Sequence, residues 1–370
     1  MLKNKIIMLQ QLLSLALILL VLPIEAEPKS ARDILLNEIQ LVGSHNSYKK
    51  KIDSTLLFIL KLFDSNVATS LDYEHLTLVE QLDLGLRSLE LDVYYDPEGG
   101  HYGAPFGNKM GPFSSPYDEG EVMKHPGFKV LHVQDIDFRS HCLTLKTCLE
   151  QIRRWSSENP QHLPLIITIN PKDEIIPMKG FEPPMAFDVD AWNSLDDEFR
   201  DILSKNLIIP DDIRGVYNTL KESILAGWPS VNSLRGKVLF VLDGPPIKSS
   251  DYVIGHSELE GRVMFVNFPE ESSMSSFRIV NDPIENLDYI SELVGQGFIV
   301  RTRADAETTE SRNGDTRRLQ SAIKSGAQII SSDYYKMDER HGTSYEVKFS
   351  EFTFFQCNPL LTTETCQLNE

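Results

Sequence analysis

Eight stretches of this chain are rich in β-forming residues and apolar along most of their length instead of alternating. They run over 39–48, 88–95, 129–136, 163–171, 237–244, 262–268, 298–305 and 327–335. Strands buried on both faces read this way, and such strands belong to a parallel sheet covered by helices. Helix-like stretches lie between several of them, at 75–86, 145–157, 190–206, 283–295 and 315–325, and the last two stop at Gly297 and Gly326. Eight strands with intervening helices predict an α/β fold, a single (β/α)8 TIM-type barrel, distorted or regular, with long loops at the strand C-termini. A doubly wound open sheet is the competing arrangement. Two connections, 96–128 and 172–187, follow strand C-termini and are too long for turns, which marks them as site-building loops. The tail from 345, with Phe349, Phe352, Phe354 and Phe355, is expected to cover a face of the barrel.

Ahead of this pattern, Lys3 and Lys5 precede an apolar run over 12–22 and the small residue Ala26. The run is shorter than the roughly 20 residues a spanning helix needs, so 1–26 reads as a secretory signal peptide and 27–370 as one catalytic domain of an exported, extracellular protein. Export permits oxidation of the four cysteines in two local pairs, Cys142–Cys148 and Cys357–Cys366. The net charge of -18 argues against nucleic acid as a partner. It also removes long-range attraction to an anionic membrane, so any lipid contact must rest on local apolar or basic patches.

Polar residues gather at the ends of the predicted strands: Ser44, His45 and Asn46; Glu90 and Asp92; His132; Asn170, Lys172 and Asp173; Arg301, Arg303 and Asp305; and Asp333. In a barrel these positions meet at one mouth. Glu90 and Asp92 are two apart and so share a strand face, where two carboxylates repel unless a cation lies between them. Ca²⁺ or Mg²⁺ fits that set, with Asn46 adding a neutral oxygen. The plainer alternative pairs Glu90 with Arg87 or with an arginine of the barrel. His45 and His132 suit the two tasks of phosphodiester cleavage, stabilising the phosphoryl oxygens and protonating the leaving alkoxide. The other histidines, such as His75, His101, His125 and His162, read as structural. Lys172, Arg301 and Arg303 can hold a phosphate or, more plainly, neutralise Glu90, Asp92 and Asp333.

The segments LVGSHNSY (41–48), LDLGLRSLELDVYYD (82–96), VLHVQDIDFRSHCLTLKTCL (130–149), FDVDAWNSLDDEFRDIL (187–203) and the long stretch 300–335 resemble the secreted, calcium-dependent phosphatidylinositol-specific phospholipase C family, related to the X region of the eukaryotic phospholipases C. The resemblance implies a distorted barrel that cleaves the glycerol-inositol phosphodiester at a membrane surface, releasing diacylglycerol and inositol (cyclic) phosphate. It implies that His45 stabilises the pentavalent phosphorus and that His132 is its partner acid. Asn46, Glu90 and Asp92 become ligands of Ca²⁺ in preference to Mg²⁺, and Glu90 or a neighbouring carboxylate takes the proton of the inositol 2-hydroxyl. Relatives in the eukaryotic branch carry a further ligating Glu on the fourth strand, where this chain has Asn170, with Asp173 three residues on. Two other functions remain open at this stage. One is a glycerophosphodiester phosphodiesterase or sphingomyelinase D type barrel, which shares the Glu-x-Asp pattern but opens on a His-Arg pair. The other is a non-catalytic barrel that binds lipid headgroups.

Overall fold

A computed structural model describes residues 34–111, 117–350 and 353–362. The expected signal segment and Cys366 lie outside these residues. Eleven strands form one sheet: β1 (Ile39–Ser44), β2 (Ser88–Tyr94), β3 (Lys129–Val130), β4 (Leu165–Pro171), β5 (Leu207–Ile208), β6 (Val238–Leu242), β7 (Met264–Val266), β8 (Phe277–Ile279), β9 (Ile299–Arg303), β10 (Ile329–Ser332) and β11 (Phe355–Cys357). Their order is β5-β6-β4-β2-β1-β10-β9-β8, all parallel, with β7 also parallel on β6. The longer strands β1, β2 and β6 are buried at every residue, as continuous apolar runs require.

The closed (β/α)8 barrel is not what forms. The sheet is an open half-barrel, curled through 252° with its edges 14 Å apart. The side that would have to close is built from very short strands, and β7 and β8 share only the isolated bridge Asn267–Phe277. The ladder of backbone hydrogen bonds that would close the sheet is missing there, and Ile279 N–H donates instead to the Asn267 side chain at 3.1 Å. The predicted strand 129–136 also differs. Only Lys129 and Val130 pair, antiparallel to Tyr94 and Val93, and the chain then turns through Val133–Asp137. His132 therefore sits in a turn beside β2 and not on a third barrel strand.

Helices cover the outside of the sheet. The helix Leu145–Glu158 buries Leu145, Cys148, Leu149, Ile152 and Trp155, and Val189–Leu203 buries Ala191, Trp192, Leu195, Phe199 and Leu203. The spacing of three and four residues gives each one apolar stripe. Thr144 and Asp188 cap their first turns by accepting the backbone N–H of Thr147 and Ala191. The expected Cys142–Cys148 disulfide closes the entry to the first of these helices.

The tail packs on the sheet: β11 runs antiparallel along Ile39–Leu41 of β1. With that length of β1 taken, β1 and β2 meet at a single residue pair, Gly43 and Ser88. A Cβ on Gly43 would lie 2.7 Å from the Ser88 Cβ and 3.0 Å from its carbonyl oxygen, closer than atoms tolerate. Gly43→Ala is expected to push β1 from β2 and destabilise the fold by about 1–3 kcal/mol, the usual cost of overpacking. A urea denaturation midpoint equal to that of the unsubstituted protein would contradict this close approach.

Candidate active site

His45 follows β1 directly, and the next residue, Asn46, has a φ of 49°, a left-handed conformation that Asn adopts more readily than most residues. The resulting turn is stapled to β2. The Ser47 N–H donates to Glu90 O at 3.0 Å, and the Glu90 N–H donates to Ser47 Oγ at 2.7 Å. The backbone thus sets His45 and Asn46 against the strand that carries both acidic residues.

His45 Nδ1 lies 2.9 Å from Asp333 Oδ1, just past the end of β10. A carboxylate only accepts, so Nδ1 carries the hydrogen and Nε2 of the neutral ring keeps its lone pair. That lone pair faces Arg303 Nη1 at 3.4 Å and Glu90 Oε1 at 3.8 Å. Burial pulls His45 down to about 4, reinforced by Arg303 and opposed by Asp333. Burial works against the Asp333 carboxylate, but His45, Arg303 and His75 together hold it below the usual carboxylate range. Asp305 supports Asp333 from behind by accepting its backbone N–H at 2.9 Å, and burial pushes Asp305 up to about 7. His75 donates Nε2–H to the His45 carbonyl at 2.6 Å, and burial brings it down to about 4 as well.

Glu90 Oε2 accepts from Arg301, whose other amino group reaches Asp243 Oδ2 at 3.4 Å. Burial raises Glu90, with Asp92 adding to the rise and Arg301 opposing it, and burial pushes Asp243 up to about 6. Asp92 stands in register with Asn170 on β4, and Lys172 Nζ lies 3.3 Å from Asp92 Oδ2. Lys172, Arg301 and Arg303 therefore all pair with carboxylates here, as the plainer reading of the sequence had it. Among the described residues no three Asp, Glu, His or Cys side chains already form a coordination shell. The oxygen donors nevertheless fit a divalent ion. Oδ1 of the buried Asp92 has no hydrogen-bond partner, its Oδ2 faces the Lys172 ammonium, and Asn46 Oδ1 accepts only a long 3.4 Å bond from Tyr48.

His132 is fixed separately. Its Nδ1 lies 2.8 Å from Asp137 Oδ2, and Asp137 is fully buried and paired with Lys49 at 3.0 Å. Burial works against that carboxylate, but Lys49 and His132 outweigh it and lower Asp137. The site thus contains three groups that strand-end reasoning passed over: Asp137, Lys49 and Asp243. Asp137 was within reach, five residues after a histidine already singled out. Asp243 was within reach too, at the end of the predicted strand 237–244, whereas Lys49 carried no signal beyond following the SHNSY segment. A groove of about 970 Å³ on the outer surface, lined by Glu150, Asp197, Glu198 and Asp201 with Lys146 and Arg153, borders none of these groups.

The family model described as "Phosphoinositide phospholipase C, Ca2+-dependent" matches residues 34–359. Among solved structures, the chain is similar to a calcium-dependent phosphoinositol-specific phospholipase C from Pseudomonas sp. in its apo form, with a TM-score of 0.53 and 16% identity over 89% of this chain and 96% of that one. It resembles the myoinositol complex of that enzyme with a TM-score of 0.52 and 16% identity, over 88% of this chain and 96% of that one. Uncharacterized proteins of two Mycobacterium tuberculosis strains are 40% identical over 70 residues, which is 19% of this chain and 12% of theirs.

The buried imidazoles give a measurable consequence. His45 and His75 are expected to titrate near 4, so each stays neutral through the range where an exposed histidine gains its proton. Since the unfolded chain binds those protons first, both contribute stability that is complete above pH ~6.5 and is lost as the pH falls toward the folded-state value. Two-dimensional NMR of the imidazole side chains checks this, and midpoints near the ordinary value for both rings would refute it.

Proposed function

The chain belongs to the Ca²⁺-dependent phosphoinositide phospholipase C family, a phosphodiesterase acting on phosphoinositol lipids with calcium as cofactor, and from that premise we propose that it cleaves phosphatidylinositol-type lipids into diacylglycerol and inositol 1,2-cyclic phosphate. The observation that carries this reading is the pair of histidines, each tied at Nδ1 to a buried aspartate so that Nε2 is the ring atom left to exchange a proton. A headgroup-binding module has no need of two imidazoles held in that way.

In the proposed reaction the oxygen of the inositol 2-hydroxyl attacks phosphorus. Its proton passes to the bare Nε2 of His45, with Glu90 beside that atom at 3.8 Å to relay it. Burial raises Glu90, which makes it a better proton acceptor than an exposed carboxylate. The imidazolium so formed lies against Asp333 and donates Nε2–H to a phosphoryl oxygen, which is the stabilising role the sequence suggested for His45. The bond from phosphorus to the glycerol oxygen breaks, and His132, with Asp137 holding Nδ1, gives its Nε2 proton to that oxygen. Asn46, Glu90 and Asp92, with Asn170 in register beside Asp92, are the residues we assign to calcium. When bound there, the ion lowers the pKa of the attacking hydroxyl and offsets phosphate charge. Lys172, Arg301 and Arg303 would contact the phosphate or the inositol ring from their present carboxylate partners.

We further propose that the chain is exported and meets its substrate at a membrane surface through apolar side chains beside the site. The helix Ser54–Phe63, which follows β1, exposes Phe58, Leu62 and Phe63 at 62%, 72% and 78%. Ile175 and Met178 after β4 and Ile247 after β6 are also exposed. These segments follow the strand ends that carry His45, Asn170 and Asp243. A surface that is acidic as a whole can still bind lipid through such a patch, with Lys61 on the same helix. The Cys142–Cys148 disulfide suits an oxidising compartment.

Release of cyclic inositol phosphate from phosphatidylinositol vesicles tests the reading. His45→Ala and His132→Ala are each expected to lower kcat by about 10²–10⁴-fold, the usual loss with one acid-base group, and EDTA to abolish turnover until Ca²⁺ is restored. Activity that persists in EDTA would remove the metal from the assignment. Replacing Phe58, Leu62 and Phe63 together by Ser is expected to cut vesicle cleavage about tenfold or more while leaving a soluble inositol phosphodiester turned over at the original rate. An equal loss on both substrates would refute the docking surface.

A further inference from the structure

One residue past the SHNSY segment, Lys49 is fully buried, a costly position for an ammonium group unless it is paired. Three oxygens surround it: Asp137 Oδ2 at 3.0 Å, Leu71 O at 3.0 Å and Tyr73 O at 3.1 Å. The ammonium also lies over the Tyr73 ring, 4.6 Å from its centroid. Two of these neighbours, Asp137 and Tyr73, lead to the site. Asp137 Oδ2 is the atom that holds His132 Nδ1 at 2.8 Å, and Asp137 Oδ1 has no hydrogen-bond partner, so Lys49 and His132 are the two side chains that balance this carboxylate. Tyr73 accepts from Asn46 Nδ2 at 2.8 Å through its hydroxyl and stacks on His45 with centroids 6.4 Å apart.

We propose that Lys49 is a positioning residue for the reaction: its buried ammonium keeps Asp137 ionised and aimed at His132. The inference rests on the phosphodiesterase reading above and on His132 as the proton donor within it. Loss of the ammonium leaves a carboxylate buried with only an imidazole to balance it. Asp137 then takes up a proton or turns away, and His132 loses the anion that fixes its tautomer and supports its charge. A purely structural lysine would behave differently, because its loss would lower turnover of every substrate alike. A lysine acting through the acid matters most when the leaving oxygen needs a proton. An alkoxide such as that of diacylglycerol needs one and a nitrophenolate scarcely does.

The experiment compares the full chain with Lys49→Met on phosphatidylinositol vesicles and on a soluble inositol phosphate nitrophenyl ester, both with Ca²⁺. The expected result is a fall in kcat of about 100-fold on the lipid with KM within about threefold, and a fall of less than about tenfold on the nitrophenyl ester. Equal losses on the two substrates, or a lipid kcat within about threefold of the unsubstituted protein, would overturn the proposal. Circular dichroism establishes whether the variant folds. Should it not, Lys49→Met combined with Asp137→Asn removes both charges and leaves none unpaired, and the same contrast between leaving groups is expected of it. Failure of both variants to fold would make Lys49 a folding residue and end the proposal. An unsubstituted protein that cleaves neither substrate would overturn the functional reading itself, a result visible before any substitution is made.

Discussion

A guanidinium and a carboxylate buried against each other, Arg301 on β9 and Glu90 on β2, tie together strands that are not neighbours. Between them in the sheet stand β1 and β10. In a flat sheet three strand spacings amount to about 14–15 Å, too far for these side chains to meet, so the ion pair exists only because the sheet curls. The ends of β1 and β10 are direct neighbours in register, which is how His45 meets Asp333, and β9 on the other side of β10 brings Arg303 to the same carboxylate. The pair in turn rewards the curl. A buried carboxylate without its cation costs several kcal/mol, so a flattened sheet would lose Glu90 and Arg301 together.

The same reasoning explains why an unclosed barrel can carry a complete site. The residues assigned to the reaction come from the continuous ladder β6-β4-β2-β1-β10-β9 or from a turn attached to it, with Tyr73 and His75 packed against them from the segment between two helices. The strands on the open side, β5, β7 and β8, have two or three residues each and contribute none.

What could be read from the sequence follows the same division. The long strands were legible because burial on both faces leaves an unbroken apolar run, and Glu90 with Asp92 was legible because a two-residue period on a strand has one meaning. Closure was not legible, since it depends on whether Met264–Val266 and Phe277–Ile279 find a common register, and the polar chain between them gives no sign of it. The run 129–136 misled because Val130, Leu131 and Val133 satisfy a strand pattern, while the Val133–Asp137 turn that ends it depends on local hydrogen bonds. Lys49 was invisible for a different reason. Surface lysines are the rule, and its partner Asp137 lies 88 positions further along the chain.

The two histidines turn out to be held in one way and poised in two. Each has its Nδ1 on a buried aspartate, and each aspartate is shared with a permanent cation, Arg303 for Asp333 and Lys49 for Asp137. The cation keeps the carboxylate ionised without giving it a proton, which leaves the imidazole as the group that can exchange one. The surroundings of Nε2 then separate the pair. At His45 that atom faces Arg303, so a second positive charge is disfavoured and the ring is held neutral, the form our proposed reaction uses as proton acceptor. At His132 the cation and the ring share one oxygen, Lys49 Nζ at 3.0 Å and His132 Nδ1 at 2.8 Å from Asp137 Oδ2, whereas His45 and Arg303 take different oxygens of Asp333. In the proposed reaction one repeated arrangement supplies both acceptor and donor, distinguished by the cation that faces Nε2 of His45.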